Sequence, residues 1–312
     1  MNPSHDERDP FSRFLELPAG SIHYLEWGER SVQSGGGRVI VLLHGTAFAA
    51  GLWDPVARRL VAEGYSVLAL DRRGHGRTAM SSGAFDFEDF ADDLIAFTGA
   101  LDLEGVHGIG HSAGATDLLL AAARRPERFA TVLAMEPTIM DPDRSRTVEP
   151  GLSPASREYL DRVRARRSQW PGRQEAREHF LARTPYSSWR SDVFELFLDH
   201  ALEETAAGLQ LRCRAEDEAS MLEPILRVME RRYRGRADGE PFGALRRVAC
   251  PVMLIANKLS LPYYHMTKFA EALVPGVRAM IEWELGHCSP MEDPPTVAGQ
   301  ILSFVSQHGS DR

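Results

Sequence analysis

The stretch "VHGIGHSAGATDLLLAAA", residues 106–123, decides how the chain is to be read. It begins as an apolar run suited to a buried strand, tightens around glycines, and continues as an alanine- and leucine-rich helical pattern. Within it, Gly110-His111-Ser112-Ala113-Gly114 fits G-x-S-x-G and stands between the predicted strand and the predicted helix, where that motif has a mechanical purpose. A serine on such a turn projects its hydroxyl clear of the sheet, flanking glycines let neighbouring backbone come close, and the helix that follows turns its positive end toward any oxyanion. The bland alternative makes Ser112 a small residue in a sharp corner, and the rest of the chain has to choose.

Outward from this turn, short apolar runs alternate with helical patterns. "RVIVLLHG" (38–45), "YSVLALD" (65–71), "VHGIG" (106–110) and "ATVLAME" (130–136) read as strands, with helices over 52–64, 85–101 and 115–129 between and after them. Residues 12–28 read as a hairpin ahead of this parallel part. From about Thr138 to Arg246 the strand signals stop and arginine-rich helical segments take over. The alternation returns with strands at 250–257 and 277–285 and helices at 264–273 and 296–307. Neither flank alone completes a sheet. The organisation expected is therefore an α/β core, a mostly parallel eight-stranded sheet flanked by helices, formed by residues 1–137 and 246–312 and interrupted by a helical cap at 138–245.

Composition narrows the partners. A chain of 312 residues with 43% hydrophobic and 26% charged residues has the make-up of a globular protein, and no apolar run reaches the length of a membrane span. A net charge of −8 argues against nucleic acid as the main partner, and "RVRARR" (162–167) reads as a solvated helix face. The opening "MNPSHDERDPFS" lacks a basic and then apolar leader, and Cys213, Cys250 and Cys288 are odd in number and far apart, so a reducing cytoplasm is the expected compartment. No metal-ligand spacing and no phosphate-cradling glycine loop is present, so neither metal nor cofactor is expected. The expected partner is a small molecule; a homodimer is left open.

A serine nucleophile needs a base. His287, in "ELGHCSPMEDPP", lies after the last predicted strand and so at the sheet edge where Ser112 also lies. His111 is expected to point away along the turn and His75 to shape the loop "RRGHGRT", while Cys288 reads as a small apolar residue.

Taken together, "LLHGTAF", "DRRGHGRT", "GHSAG" and "LGHCSPMEDP" resemble the α/β-hydrolase superfamily over almost the whole chain. That resemblance implies backbone oxyanion donors at Thr46, or Ala47 if the loop bends differently, and at Ala113. It also implies an acid in the loop after the seventh core strand, and there the sequence departs: "ANKLSLPYYHMTKFAEAL" holds no carboxylate between Ala256 and Glu271, with Ser260 near the expected place. Some members carry a glutamate after the sixth strand instead. Here that residue is Glu136, a lone carboxylate ending an apolar strand, with Asp141 and Asp143 as alternatives. His111, Trp170, Tyr186 and Trp189 are the pocket candidates. The function expected is hydrolysis of a carboxylic ester or lactone through an acyl-enzyme on Ser112. Two alternatives stand beside it: hydrolysis of an activated carbon–carbon bond, and a ligand-binding sensor with little turnover, suggested by the missing acid.

Overall fold

The computed structural model describes residues 9–28, 38–78, 85–139, 152–230 and 241–308. In chain order the first part comprises β1 (Phe11–Leu17), β2 (Gly20–Trp27), β3 (Val39–Leu43), α1 (Asp54–Ala62), β4 (Ser66–Leu70), α2 (Phe87–Ala100), β5 (Val106–His111), α3 (Ala113–Arg124) and β6 (Phe129–Met135). The inserted segment carries α4 (Pro154–Arg164), β7 (Gln169–Trp170), α5 (Arg173–Leu181), α6 (Ser191–His200), β8 (Leu202–Thr205), β9 (Gly208–Leu211) and α7 (Ala215–Met229). The chain then returns with β10 (Val252–Asn257), α8 (Leu261–Leu273), β11 (Val277–Trp283), the single turn α9 (Ser289–Glu292) and α10 (Pro294–His308).

The main sheet is eight-stranded, in the order β1-β2-β4-β3-β5-β6-β10-β11. β2 is antiparallel to both β1 and β4, and the remaining pairs are parallel. Every residue of β3, β5 and β10 is buried, as expected for parallel strands covered by helices on both faces. One apolar cluster joins Val41, Leu43 and Leu68 to Leu94 and Phe97 of α2 and Leu118 of α3. The opposite cluster joins Ile40, Leu42 and Ile109 to Val56 and Leu60 of α1 and Ile301 and Phe304 of α10.

The strand order reverses between β3, which leads back to β4, and β5, which leads on to β6. At such a switch point the loops leaving two adjacent parallel strands separate and open a crevice at their C-terminal ends. Thr46 follows β3 and Ser112 follows β5, so the topology puts both at that crevice.

The inserted segment is not built from helices alone, contrary to the sequence expectation. β7, β9 and β8 form a separate three-stranded antiparallel sheet. These strands escape notice because they are two to four residues long and β8 is "LEET", which carries no apolar alternation. Gly208 makes the sheet sterically feasible, since a Cβ there would lie 2.3 Å from the Trp170 carbonyl oxygen. Three of the four arginines of 162–167 pair with neighbouring carboxylates, Arg162 with Glu158, Arg164 with Asp161 and Glu216, and Arg166 with Glu218, while Arg167 donates to the Gln169 carbonyl. No helix among the described residues is long and apolar enough to cross a membrane.

Candidate active site

Ser112 ends β5 and opens α3 with φ 55° and ψ −123°, a left-handed backbone that costs a non-glycine residue about 1–3 kcal/mol. The turn is held by Ser112 N–H donating to the Met135 carbonyl at 2.8 Å and by Ala115 N–H donating to the Ser112 carbonyl at 3.0 Å. The flanking glycines are required by space: a Cβ on Gly110 would lie 2.6 Å from Ala115 Cα, and one on Gly114 would lie 2.6 Å from the His44 carbonyl oxygen. Sequence and strain thus agree at this corner.

From Ser112 a hydrogen-bond chain runs through the C-terminal edge of the sheet. The hydroxyl lies 3.0 Å from His287 Nε2, and His287 Nδ1 lies 2.7 Å from Glu136 Oε2. Glu136 is fully buried after β6, and its own φ is 48°, so it too occupies a strained position. Its second oxygen, Oε1, accepts the Asn257 backbone N–H at 3.0 Å. Burial pushes the Glu136 carboxyl up to about 7, against the Asn257 and Ser260 hydrogen bonds that favour its charged form. The same burial pushes the His287 imidazole down to about 3. Ser260, at the place where a carboxylate was expected, therefore supports the glutamate that comes from β6. Asp141 and Asp143 lie outside the described residues.

Two further side chains hold His287: Tyr263, which sequence reasoning did not single out, and His111, expected there only as a pocket residue. Tyr263, in the first turn of α8 within the carboxylate-free stretch after β10, stacks on the His287 ring with centroids 3.6 Å apart and an interplanar angle of 15°. His111 does not point away along the turn as expected: its Nε2 lies 2.7 Å from the His287 carbonyl oxygen. Burial pushes His111 down to about 3, so the neutral ring donates from Nε2 to that carbonyl. β5 ends at His111, whose side chain therefore faces the loop after β11 rather than the helix. Gly286 N–H, donating to Glu292 Oε2 at 3.0 Å, braces the same loop from its other side.

The histidines of "LLHG" and "RRGHG" organise the loop after β3. His44 Nδ1 donates to the Gly45 carbonyl at 2.7 Å, and its Nε2 accepts Arg72 N–H at 3.0 Å. His75 Nδ1 donates to the Arg73 carbonyl at 2.9 Å, and its Nε2 accepts Ala47 N–H at 2.9 Å. Burial holds both imidazoles in the neutral form that this pattern needs, His44 at about 4. Since the Ala47 amide is already engaged, Thr46 is the donor to consider after β3. Thr46 and Ala113 line one small cavity together with Arg72, Phe85, Phe90 and Met221. Ala113 is the first residue of α3, so its N–H has no acceptor within the helix.

Trp170, Tyr186 and Trp189, expected at the pocket, are not among the residues lining that cavity. They pack with Phe180, Phe194 and Phe197 in an apolar cluster that joins the inserted segment to Phe48 and Leu52 after β3 and to Met291 of α9, where Trp170 is only 1% exposed. Aromatics this large bury their area between the two layers first. Trp189 still reaches the site indirectly, through an edge contact with Phe48, whose ring stacks on His111. Cys288 is buried in this cluster with a free thiol. Among the described residues no three His, Cys, Asp or Glu side chains are grouped as metal ligands.

The family model described as "Alpha/beta hydrolase family" matches residues 40–300. The chain belongs to the alpha/beta hydrolase family. Among curated relatives, this alpha/beta hydrolase is 38% identical over 127 residues to a non-heme chloroperoxidase of Streptomyces lividans, a stretch covering 39% of this chain and 44% of that protein. It is 34% identical over 105 residues to the bifunctional esterase/perhydrolase DCH of Acinetobacter calcoaceticus, covering 34% of this chain and 36% of that one. The match thus spans less than half the length of these relatives. Among solved structures, naproxen esterase from Bacillus subtilis superposes with a TM-score of 0.61 at 20% identity, covering 95% of this chain and 91% of that one, a likeness of fold.

Proposed function

We propose that this alpha/beta hydrolase is a cofactor-independent serine hydrolase that cleaves a small carboxylic ester or lactone through an acyl-enzyme on Ser112. The observation that carries the reading is the unbroken chain from Ser112 Oγ through both nitrogens of His287 to Glu136. In the first half-reaction Oγ attacks the carbonyl carbon while its proton passes to His287 Nε2. The Thr46 and Ala113 amides stabilise the oxyanion, and the buried carboxylate offsets the imidazolium charge. The C–O bond then breaks as Nε2 returns the proton to the leaving alcohol. Water, deprotonated by the same nitrogen, releases the acid and restores Ser112. A 4-nitrophenyl acyl ester should show a burst of nitrophenolate followed by slower turnover.

The sensor reading leaned on the missing carboxylate after the seventh core strand. Glu136 meets that need at 2.7 Å from His287 and removes its support. The same residues would serve an activated carbon–carbon bond, which product analysis separates. The likeness to an esterase/perhydrolase favours a second reading in which hydrogen peroxide replaces water at the acyl-enzyme and yields a peracid. Peracid formation from an ester and peroxide, absent in the Ser112→Ala variant, is its test.

The pH dependence follows from the carboxyl. The competent state has Glu136 ionised and His287 neutral with its proton on Nδ1. Because Glu136 is raised to about 7, kcat/KM is expected to climb as pH rises through about 7 and to level off above it. A pH–rate profile flat from 5 to 8 would mean that the Glu136 carboxyl is already ionised at pH 5 and that burial does not raise it into this range.

Tyr263 is expected to lower the energy of the transient imidazolium by presenting its ring face to it. Tyr263→Leu should reduce kcat by about two- to twelvefold, the rate equivalent of about 0.5–1.5 kcal/mol for one stacked pair. KM should change less, and steady-state kinetics on one ester would separate the two.

A further inference from the structure

Arg72 follows β4 and is held away from solvent, its side chain only 4% exposed. Its Nε donates to Asp117 Oδ2 at 2.6 Å, and its guanidinium carbon lies 4.1 Å from the centre of the Phe90 ring. The buried Nη1, by contrast, has no hydrogen-bond acceptor among the described residues. A charged donor left without an acceptor in the interior is costly, and most native structures avoid it. Arg72 stands in the wall of the cavity that also contains Thr46 and Ala113, whose other lining is largely apolar: Phe85, Phe90, Met221 and Ile225.

We propose that Arg72 forms an acyl-side subsite in which Nη1 donates a hydrogen bond to a neutral oxygen acceptor, a keto or amide carbonyl carried on the acyl chain of the substrate. The proposal rests on the reading of Ser112 as an acyl-transfer nucleophile. The acyl side follows from the lining. The cavity includes the two residues assigned to the oxyanion and not His287, beside which the leaving group must lie to receive its proton. The neutral acceptor follows from charge. Arg72 is already matched by Asp117, and the adjacent Arg73 by Asp93 through two contacts of 2.6 and 2.7 Å. A carboxylate would add an unmatched anion to this buried set, whereas a carbonyl supplies the missing acceptor without adding charge. The cavity has room for about one small group, such as a carbonyl, between otherwise apolar walls.

The test uses the full chain and ethyl esters of 3-, 4- and 5-oxo acids. Each is compared with the isostere in which a methyl group replaces the keto oxygen and with the half-ester of the dicarboxylic acid of equal length. Every rate is divided by that of the same ester in alkali. At one chain length the keto ester should exceed its isostere in kcat/KM by about 10- to 100-fold, because the isostere leaves Nη1 unpaired. That preference should shrink by at least about tenfold in Arg72→Met, and Arg72→Lys, which keeps the charge and moves the donor, should restore only part of it. Calorimetric binding of the same esters to Ser112→Ala gives a readout that needs no turnover and no change at Arg72. If no ester is hydrolysed, the reading of Ser112 fails, and tighter binding of the keto ester than of its isostere would still support the subsite. Equal affinity and equal rates for keto ester and isostere at all three lengths would overturn it. So would a preference for the half-ester anion, which would make Arg72 a carboxylate anchor.

Discussion

Replacing Ser112 with alanine is expected to abolish the burst on a 4-nitrophenyl acyl ester and to lower kcat by about 10⁶, the scale seen when a serine nucleophile is removed from an intact triad. The fold should survive. The Ser112 hydroxyl forms a hydrogen bond to His287, whereas the strained turn is held by backbone bonds to Met135 and Ala115 that alanine retains. Thermal unfolding is therefore expected near the wild-type temperature, since alanine keeps the backbone geometry and its bonds. A variant that keeps more than about a tenth of the wild-type rate would mean that the nucleophile lies elsewhere.

The second large effect is expected at Glu136. Glu136→Gln keeps size and shape, yet kcat should fall by about 10³–10⁴. The reason is local. Asn257 N–H donates to Oε1, so the glutamine amide will turn its carbonyl oxygen toward that donor and its NH2 toward His287. His287 Nδ1 must then accept, which moves the ring proton to Nε2, opposite the hydroxyl whose proton it should receive. Nothing in the packing need change, so a stable, correctly folded and slow variant is the signature. Its acid limb near pH 7 should also vanish, because the group that titrates there is gone. Glu136→Asp retains the charge and should recover part of the rate. An unaltered rate in Glu136→Gln would sink the assignment of the acid.

The contrast between these residues shows why some of the site can be read from sequence. β3, β5 and β10 are buried on both faces, so they appear as uninterrupted apolar runs, and the order of runs and helices already implies the sheet. Ser112 is legible because its turn demands glycines on either side, and Glu136 because a carboxylate at the end of an apolar strand needs a partner. His111, Tyr263 and Arg72 are not legible in that way. His111 works through a carbonyl 176 residues distant, Tyr263 through a ring that α8 delivers, and Arg72 through an acceptor it lacks. Each depends on a three-dimensional neighbour that leaves no local pattern. Trp170, Tyr186 and Trp189 stand out in the sequence, and in the structure their size packs the inserted segment against Phe48, Cys288 and Met291 of the core. The cavity beside Thr46 and Ala113 draws on Phe90 of α2, where helical periodicity alone marks it as core, and on Phe85 just before that helix.

The central claim is that Ser112 is the covalent nucleophile of an alpha/beta hydrolase whose acid is Glu136. The most direct measurement is peptide mapping by mass spectrometry after exposure to a phosphonofluoridate, which forms a stable serine adduct with loss of fluoride. The expected result is an adduct on the peptide containing Ser112, absent in Ser112→Ala and formed far more slowly in Glu136→Gln. An adduct confined to another residue, or ester turnover that continues with Ser112 unmodified, would contradict it.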